Sequence, residues 1–190
     1  MTPESISRTA PSDPAGPPAA DREWLERCYA EHADRVYRAA HRVTGSAADA
    51  EDVLQTVFLR LSRRAPGASL GEDAGGYLHR AAVHAALDVL RSRHRAGWVP
   101  LEATGELVAT GGEDPERHHR NTELRRSLRL ALSRLSPRAA EIFALRYFEG
   151  LGNSEIAALA GVSSGVVAVL LHRTRARLRR ELSVLMGDAS

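Results

Sequence analysis

Apolar side chains recur at helical spacing along two stretches of this 190-residue chain, and strand-like alternation appears nowhere. That periodicity confines the chain to an all-α fold. In the first stretch Trp24, Leu25, Cys28, Tyr29, Val36, Tyr37, Ala40 and Val43 share a helical face, with Asp21 as N-cap and Gly45 as the stop. SAAD (46–49) has capping-box spacing and opens a second helix with Val53, Leu54, Val57, Phe58 and Leu61 on one side. RAPGASLGEDAGG reads as a loop. A third helix begins at Tyr77, buries Leu78, Ala81, Ala82, Ala85 and Val89, and ends near Ser92 in the basic run RSRHR.

The periodicity then breaks. AGWVPLEATGELVATGGEDPERHH (96–119) is glycine-rich and acidic, which predicts a linker over 96–120 with Trp98 as a packing anchor. From Asn121 helices resume, with a stripe of Leu124, Leu128, Leu132 and Leu135. Ser136 then stands as an N-cap with Pro137 at the first helical position. NSEIAALA predicts a short helix, GVS a tight turn, and the remainder a long terminal helix to about Met186. The expectation is two small helical domains, 21–95 and 121–190, on a flexible linker after a disordered tail, 1–20. The second contains a helix-turn-helix. Neither has a large core, so a partner would stiffen their arrangement.

Net charge is only +2, and all 26 basic residues are arginine, so basicity must be judged by clustering. The single Cys28 excludes an intramolecular disulfide and fits a reducing cytoplasm. No apolar run approaches the roughly 18 residues that span a bilayer. The first twenty residues carry five prolines and no apolar h-region, unlike a signal peptide. A soluble cytoplasmic protein with no membrane contact is expected. Catalysis is disfavoured: there is no glycine-rich phosphate loop and no nucleophile elbow, and Cys28 lies on a core-facing stripe. The eight histidines offer no pair one turn apart and no cysteine partner, so neither metal nor cofactor is expected.

Three segments in order resemble the extracytoplasmic-function class of bacterial RNA polymerase sigma factors. They are DAEDVLQTVFLRL (49–61), YLHRAAVHAALDVLRSR (77–93) and LSPRAAEIFALRYFEGLGNSEIAALAGVSSG (135–165). A helix-turn-helix alone is shared with many repressors, and a free-standing repressor leaves the first domain unexplained; the tandem is specific. The resemblance implies a non-catalytic factor that brings polymerase core to promoters and assists melting. Its polymerase contacts would be the beta-prime clamp helices and the beta flap, and an anti-sigma factor is implied as a partner.

By that resemblance, Asp49, Glu51, Asp52, Gln55 and Phe58 dock on polymerase, although the family often has an acid where Thr56 stands. Tyr77, Arg80, His84, Arg91, Arg93 and Arg95 would meet the minus-10 element. The family usually has Trp and Asn at the positions of Tyr77 and His84. The residue types are compatible with those implied roles: acids and an amide stand about one turn apart on one face, and arginines suit phosphates. A solvated acidic face and a basic helix end favoured by its own dipole are the plainer readings.

GVSSGVVAVLLHRTRARLRR (161–180) departs furthest from the family. On a helical wheel Val167, Leu171, Thr174 and Leu178 fall together and face the core. Gly165, Ala168, Val169, His172, Ala176 and Arg179 lie opposite, with Arg173 nearby. The candidate DNA-facing set is Ser163, Ser164, Gly165, Ala168, Val169, His172, Arg173, Arg175 and Arg177. The family typically has Thr, Lys, Ser and Arg where Val166, Ala168, Val169 and Leu170 stand. A bidentate base contact contributes about 1–3 kcal/mol of discrimination, and aliphatic side chains can supply none. Burying an exposed Val or Leu gains about 1.5–3 kcal/mol, which favours a protein partner on this helix or its packing against the other domain. The downstream arginines can hold phosphates, which position without specifying. The alternative function is a sigma-like regulator that binds polymerase or another protein through this helix without reading a minus-35 element. The plainer alternative is a helix more deeply buried than usual in an ordinary DNA-binding domain.

Overall fold

The computed structural model describes residues 19–63, 73–97 and 115–185. The remainder, including the tail, Trp98, most of the expected linker and Met186, lies outside the described residues. Seven helices and no strand occur among the described residues: α1 (Ala19–Thr44), α2 (Ala47–Ser62), α3 (Ala74–Arg95), α4 (Pro115–Ser133), α5 (Pro137–Tyr147), α6 (Asn153–Ala160) and α7 (Ser164–Leu185).

Local chemistry accounts for most boundaries. Gly45 ends α1 in the left-handed region, φ 70°, and its N–H donates to the His41 carbonyl at 2.7 Å. The Ser46 hydroxyl accepts from the Asp49 N–H at 3.3 Å and so caps α2. Ser136 caps α5 at the Ala139 N–H, with Pro137 in the first turn.

Three starts differ from the sequence expectation. α1 begins at Ala19, because two alanines extend the helix; Asp21 then sits in the first turn, where the helix dipole still favours it, rather than at the cap. α3 begins at Ala74, so the end of the expected loop is helical despite Gly75 and Gly76. The Asp73 carboxylate accepts from the Gly76 N–H at 2.7 Å, and Gly75 lets α3 lie close against His32 and Arg35 of α1. At its other end α3 continues through the basic run to Arg95. α4 begins at Pro115, inside the expected linker, since proline suits a first turn and Glu116 pairs with Arg120 at 3.4 Å. Leu124 is 41% exposed, so the leucine stripe of α4 begins to bury at Leu128 and is complete at Leu132.

α1, α2 and α3 pack together around Val36, Val43, Val53, Val57, Leu78 and Val83. α4 to α7 enclose Leu132, Ile142, Leu145, Ile156 and Val167. α3 belongs to both groups: it also packs on α4 and α5, and the buried side chains of the two modules form one continuous core.

Candidate nucleic-acid and polymerase interface

On α2 the candidate residues divide by burial. Glu51, Asp52 and Gln55 are exposed, and the exposed Leu59 lies a turn beyond Gln55. Asp49 is buried and paired with Arg93 of α3. Burial pushes its carboxyl up, against the opposing pull of Arg93 and the Ser46 hydroxyl. Phe58 is buried as well, edge-on to Tyr29 with ring centres 4.9 Å apart. Asp49 and Phe58 therefore anchor α2 to its own module, and Glu51, Asp52 and Gln55 form its outward polar face.

On α3, Tyr77, Arg80 and His84 are spaced three and four residues apart and share one face. Arg80 and His84 on that face meet the second module. The Glu141 carboxylate on α5, its side chain 3% exposed, accepts from Arg80 Nε at 2.6 Å, with His84 Nε2 at 2.8 Å and Arg138 Nη1 at 3.2 Å. Burial alone would raise the Glu141 carboxyl, but the contacts from His84 and Arg80 bring it down to about 2. Arg91 donates to Asp88 at 2.9 Å, Arg93 holds Asp49, and Arg95 is exposed at the end of the helix.

Two further contacts tie the modules. Glu149, 4% exposed in its side chain, lies 2.6 Å from Arg42 Nη1 of α1 and 2.8 Å from His79 Nε2 of α3. Burial opposes its ionisation, yet His79 and Arg42 hold it below the usual carboxylate range. Arg129 of α4 donates from Nε to the Val43 carbonyl at 3.2 Å, and its guanidinium fills the space in which a Cβ on Gly45 would stand. Glu141, Glu149, Arg129, Arg42 and His79 escape a sequence reading that looks for functional clusters. The available signal is Glu141 itself, an acid inside the apolar run AAEIFAL.

The helix-turn-helix is well formed. Glu155 reaches back to the Gly152 N–H at 2.7 Å, and Gly161 ends α6 at φ 64°. α6 and α7 meet at 105°. The Ser163 hydroxyl accepts from the Val166 N–H at 3.3 Å and so caps α7. The wheel expectation holds: Val167, Leu171, Thr174 and Leu178 are the buried residues of α7. Ser164, Gly165, Ala168, His172, Arg173 and Arg175 are exposed, as are Val166 at 43% and Val169 at 50%. The apolar face is open on the molecule, not sunk into a deeper core. Arg177 turns toward the α4–α5 connection, donating to the Arg134 carbonyl at 2.9 Å.

No single helix among the described residues is long and apolar enough to cross a membrane. Residues 28–96 match the family Sigma-70 region 2, and residues 125–178 match Sigma-70, region 4. The ECF RNA polymerase sigma factor SigE of Mycolicibacterium smegmatis is 36% identical over 92% of this chain and 67% of its own length. The RNA polymerase sigma factor CarQ of Myxococcus xanthus is 34% identical over 86% of this chain and 92% of its own. The sigma factor RpoE of Bartonella quintana, solved with the anti-sigma factor NepR, is 18% identical, covers 89% of this chain and 98% of its own, and superposes with a TM-score of 0.48. With both sigma regions present in order and relatives matched over most of the chain, the protein belongs to the ECF RNA polymerase sigma factors.

Proposed function

We propose that this sigma factor holds polymerase core through the outward face of α2 and reads promoters chiefly through α3. Glu51, Asp52 and Gln55 would meet the polymerase. Tyr77, Arg80 and His84 would engage the minus-10 element, where an aromatic ring and hydrogen-bonding side chains can offset the unstacking of melted bases. It acts in the cytoplasm and performs no chemistry of its own; polymerase core and promoter DNA are its partners.

The observation that carries this division of labour is the outer surface of α7. Its first turns present Gly165, Val166, Ala168 and Val169, none of which can donate to or accept from a base edge. Arg173 and Arg175 would hold phosphates and set register only. The same exposed Val166 and Val169 favour a second reading, in which α7 docks a protein such as an anti-sigma factor or the polymerase flap.

Run-off transcription with purified core polymerase tests the proposal. Transcripts should require this protein, disappear when the minus-10 element is replaced, and fall only a few-fold when the minus-35 element is scrambled. Loss of transcription on scrambling minus-35 would mean that α7 reads sequence. Core binding without initiation would leave the regulator reading in its place.

A further inference from the structure

Between α3 and α5 the seam of the two modules holds a cavity of about 240 Å³ with an arginine-rich wall. Arg80, His84, Asp88 and Arg91 come from α3, and Pro137, Arg138 and Glu141 from the first turns of α5. Three guanidinium groups face two carboxylates there, so the lining keeps a positive balance even with His84 neutral. The dipole of α5 adds to that balance, because the positive end of the helix, with Pro137 and Arg138, is part of the wall.

These arginines are only partly engaged by the fold. Arg80 meets Glu141 through Nε, and its terminal nitrogens have no acceptor among the described residues. Arg91 is the more telling case. Its Nη1 donates to Asp88 at 2.9 Å, but Nε and Nη2 are buried with no acceptor among the described residues. Those two nitrogens form one edge of the guanidinium plane, a fork that takes two oxygens of a phosphate side by side. A guanidinium cannot shed its charge to relieve that burial, so the unpaired edge destabilises the chain until an oxyanion meets it.

We infer that this cavity is a binding site for a free phosphate-bearing anion of about diphosphate size, held between the modules by Arg91 and Arg80. Arg91 turns its Nε–Nη2 edge onto one phosphate, and Arg80 offers its terminal nitrogens to the other. Unpaired N–H groups on both side chains thereby become charge-assisted hydrogen bonds. Glu141 keeps its contacts with Arg80 Nε, His84 and Arg138, and Asp88 keeps Arg91 Nη1, since the anion uses other nitrogens. The volume sets the size of the occupant: ordinary ligand pockets begin at about 300 Å³, so a diphosphate suits this one better than a whole nucleotide.

Isothermal titration of the full chain with pyrophosphate, at an ionic strength fixed with chloride, tests the site. Saturable binding of one pyrophosphate per chain is expected, and it should raise the melting temperature of the wild type. Arg91→Gln should weaken binding about ten-fold, and so should Arg91→Lys, which keeps the charge but lacks the fork. Arg22→Gln, at an exposed position of α1 outside the cavity wall, should leave binding unchanged. A response that never saturates, or that Arg22→Gln weakens as much as Arg91→Gln does, is diffuse charge attraction and overturns the inference. Wild-type affinity in Arg91→Lys overturns it as well. A mixed-sequence single-stranded DNA oligonucleotide separates the two sources of phosphate. If the chain binds the oligonucleotide through Arg91 but takes up no pyrophosphate, the phosphate on Arg91 belongs to DNA; the inference then falls while the promoter assignment of α3 stands. The melting shift is read on the wild type, so it holds even where a variant folds poorly.

Discussion

Glu141 shows how a single residue can combine a core position with a surface charge. Its neighbours Ala140, Ile142, Phe143, Ala144 and Leu145 are all buried, and only the convergence of Arg80, His84 and Arg138 makes an ionised carboxylate tolerable there. The consequence for pH has a definite sign. The carboxyl is held at about 2 in the folded chain against an ordinary value of 4.5. The unfolded chain therefore takes up the proton first on acidification, and the stabilisation from Glu141 is full above 4.5 and lost as pH falls toward 2. Glu149 has the same sign, whereas the raised carboxyl of Asp49 has the opposite one. Denaturant midpoints measured down through that window should fall steeply in the wild type and more gently in Glu141→Gln, which has no proton to gain. Equal slopes would mean that Glu141 does not couple folding to pH.

At the scale of helices, α7 was legible because burial on one side imposes a period of 3.6, and Val167, Leu171, Thr174 and Leu178 keep it without a break. Gly45 as a stop and Ser46 and Ser136 as caps were legible for the same local reason. The start of α3 was not: glycines read as loop, and only the Asp73 cap and the close approach of α1 make them helical. The pairs that organise the site were beyond reach, since Asp49 and Arg93 are 44 residues apart and Arg42 and Glu149 are 107 apart. Local pattern carries no information about which distant helices touch. Two helix-ending glycines separate the local effect from the distant one. Gly161 has open space where a Cβ would stand, so Gly161→Ala should cost only the left-handed strain, about 1 kcal/mol. Gly45→Ala carries the same strain and must also displace Arg129 from the Val43 carbonyl, so it should cost at least twice as much. Thermal denaturation of the two variants side by side decides; equal losses would show that Arg129 does not press on the α1 terminus in solution.

For the whole molecule, the question is whether the two modules fold as one unit. Sequence periodicity predicts two small helical bodies, each with a limited core. The structure gives them a shared helix, α3, and a continuous set of buried side chains, so the free energy of each should depend on the other. The dependence passes through the packing of α3 on α4, α5 and α6 and through the polar contacts of Glu141, Glu149 and Arg129, whose share can be measured by removing them. In a Trp98→Phe background with the seam intact, Trp24 fluorescence reports on α1 and should follow the same denaturant transition as far-UV circular dichroism. Removing the three fastenings together, by Glu141→Gln, Glu149→Gln and Arg129→Ala, touches no apolar core residue of either module. The two probes should then part, with part of the helical signal lost at lower denaturant while Trp24 still reports a folded α1. Probes that stay coincident in the triple variant would place the coupling in the apolar contacts of α3 with α4 and α5. The modules could then separate only by unfolding.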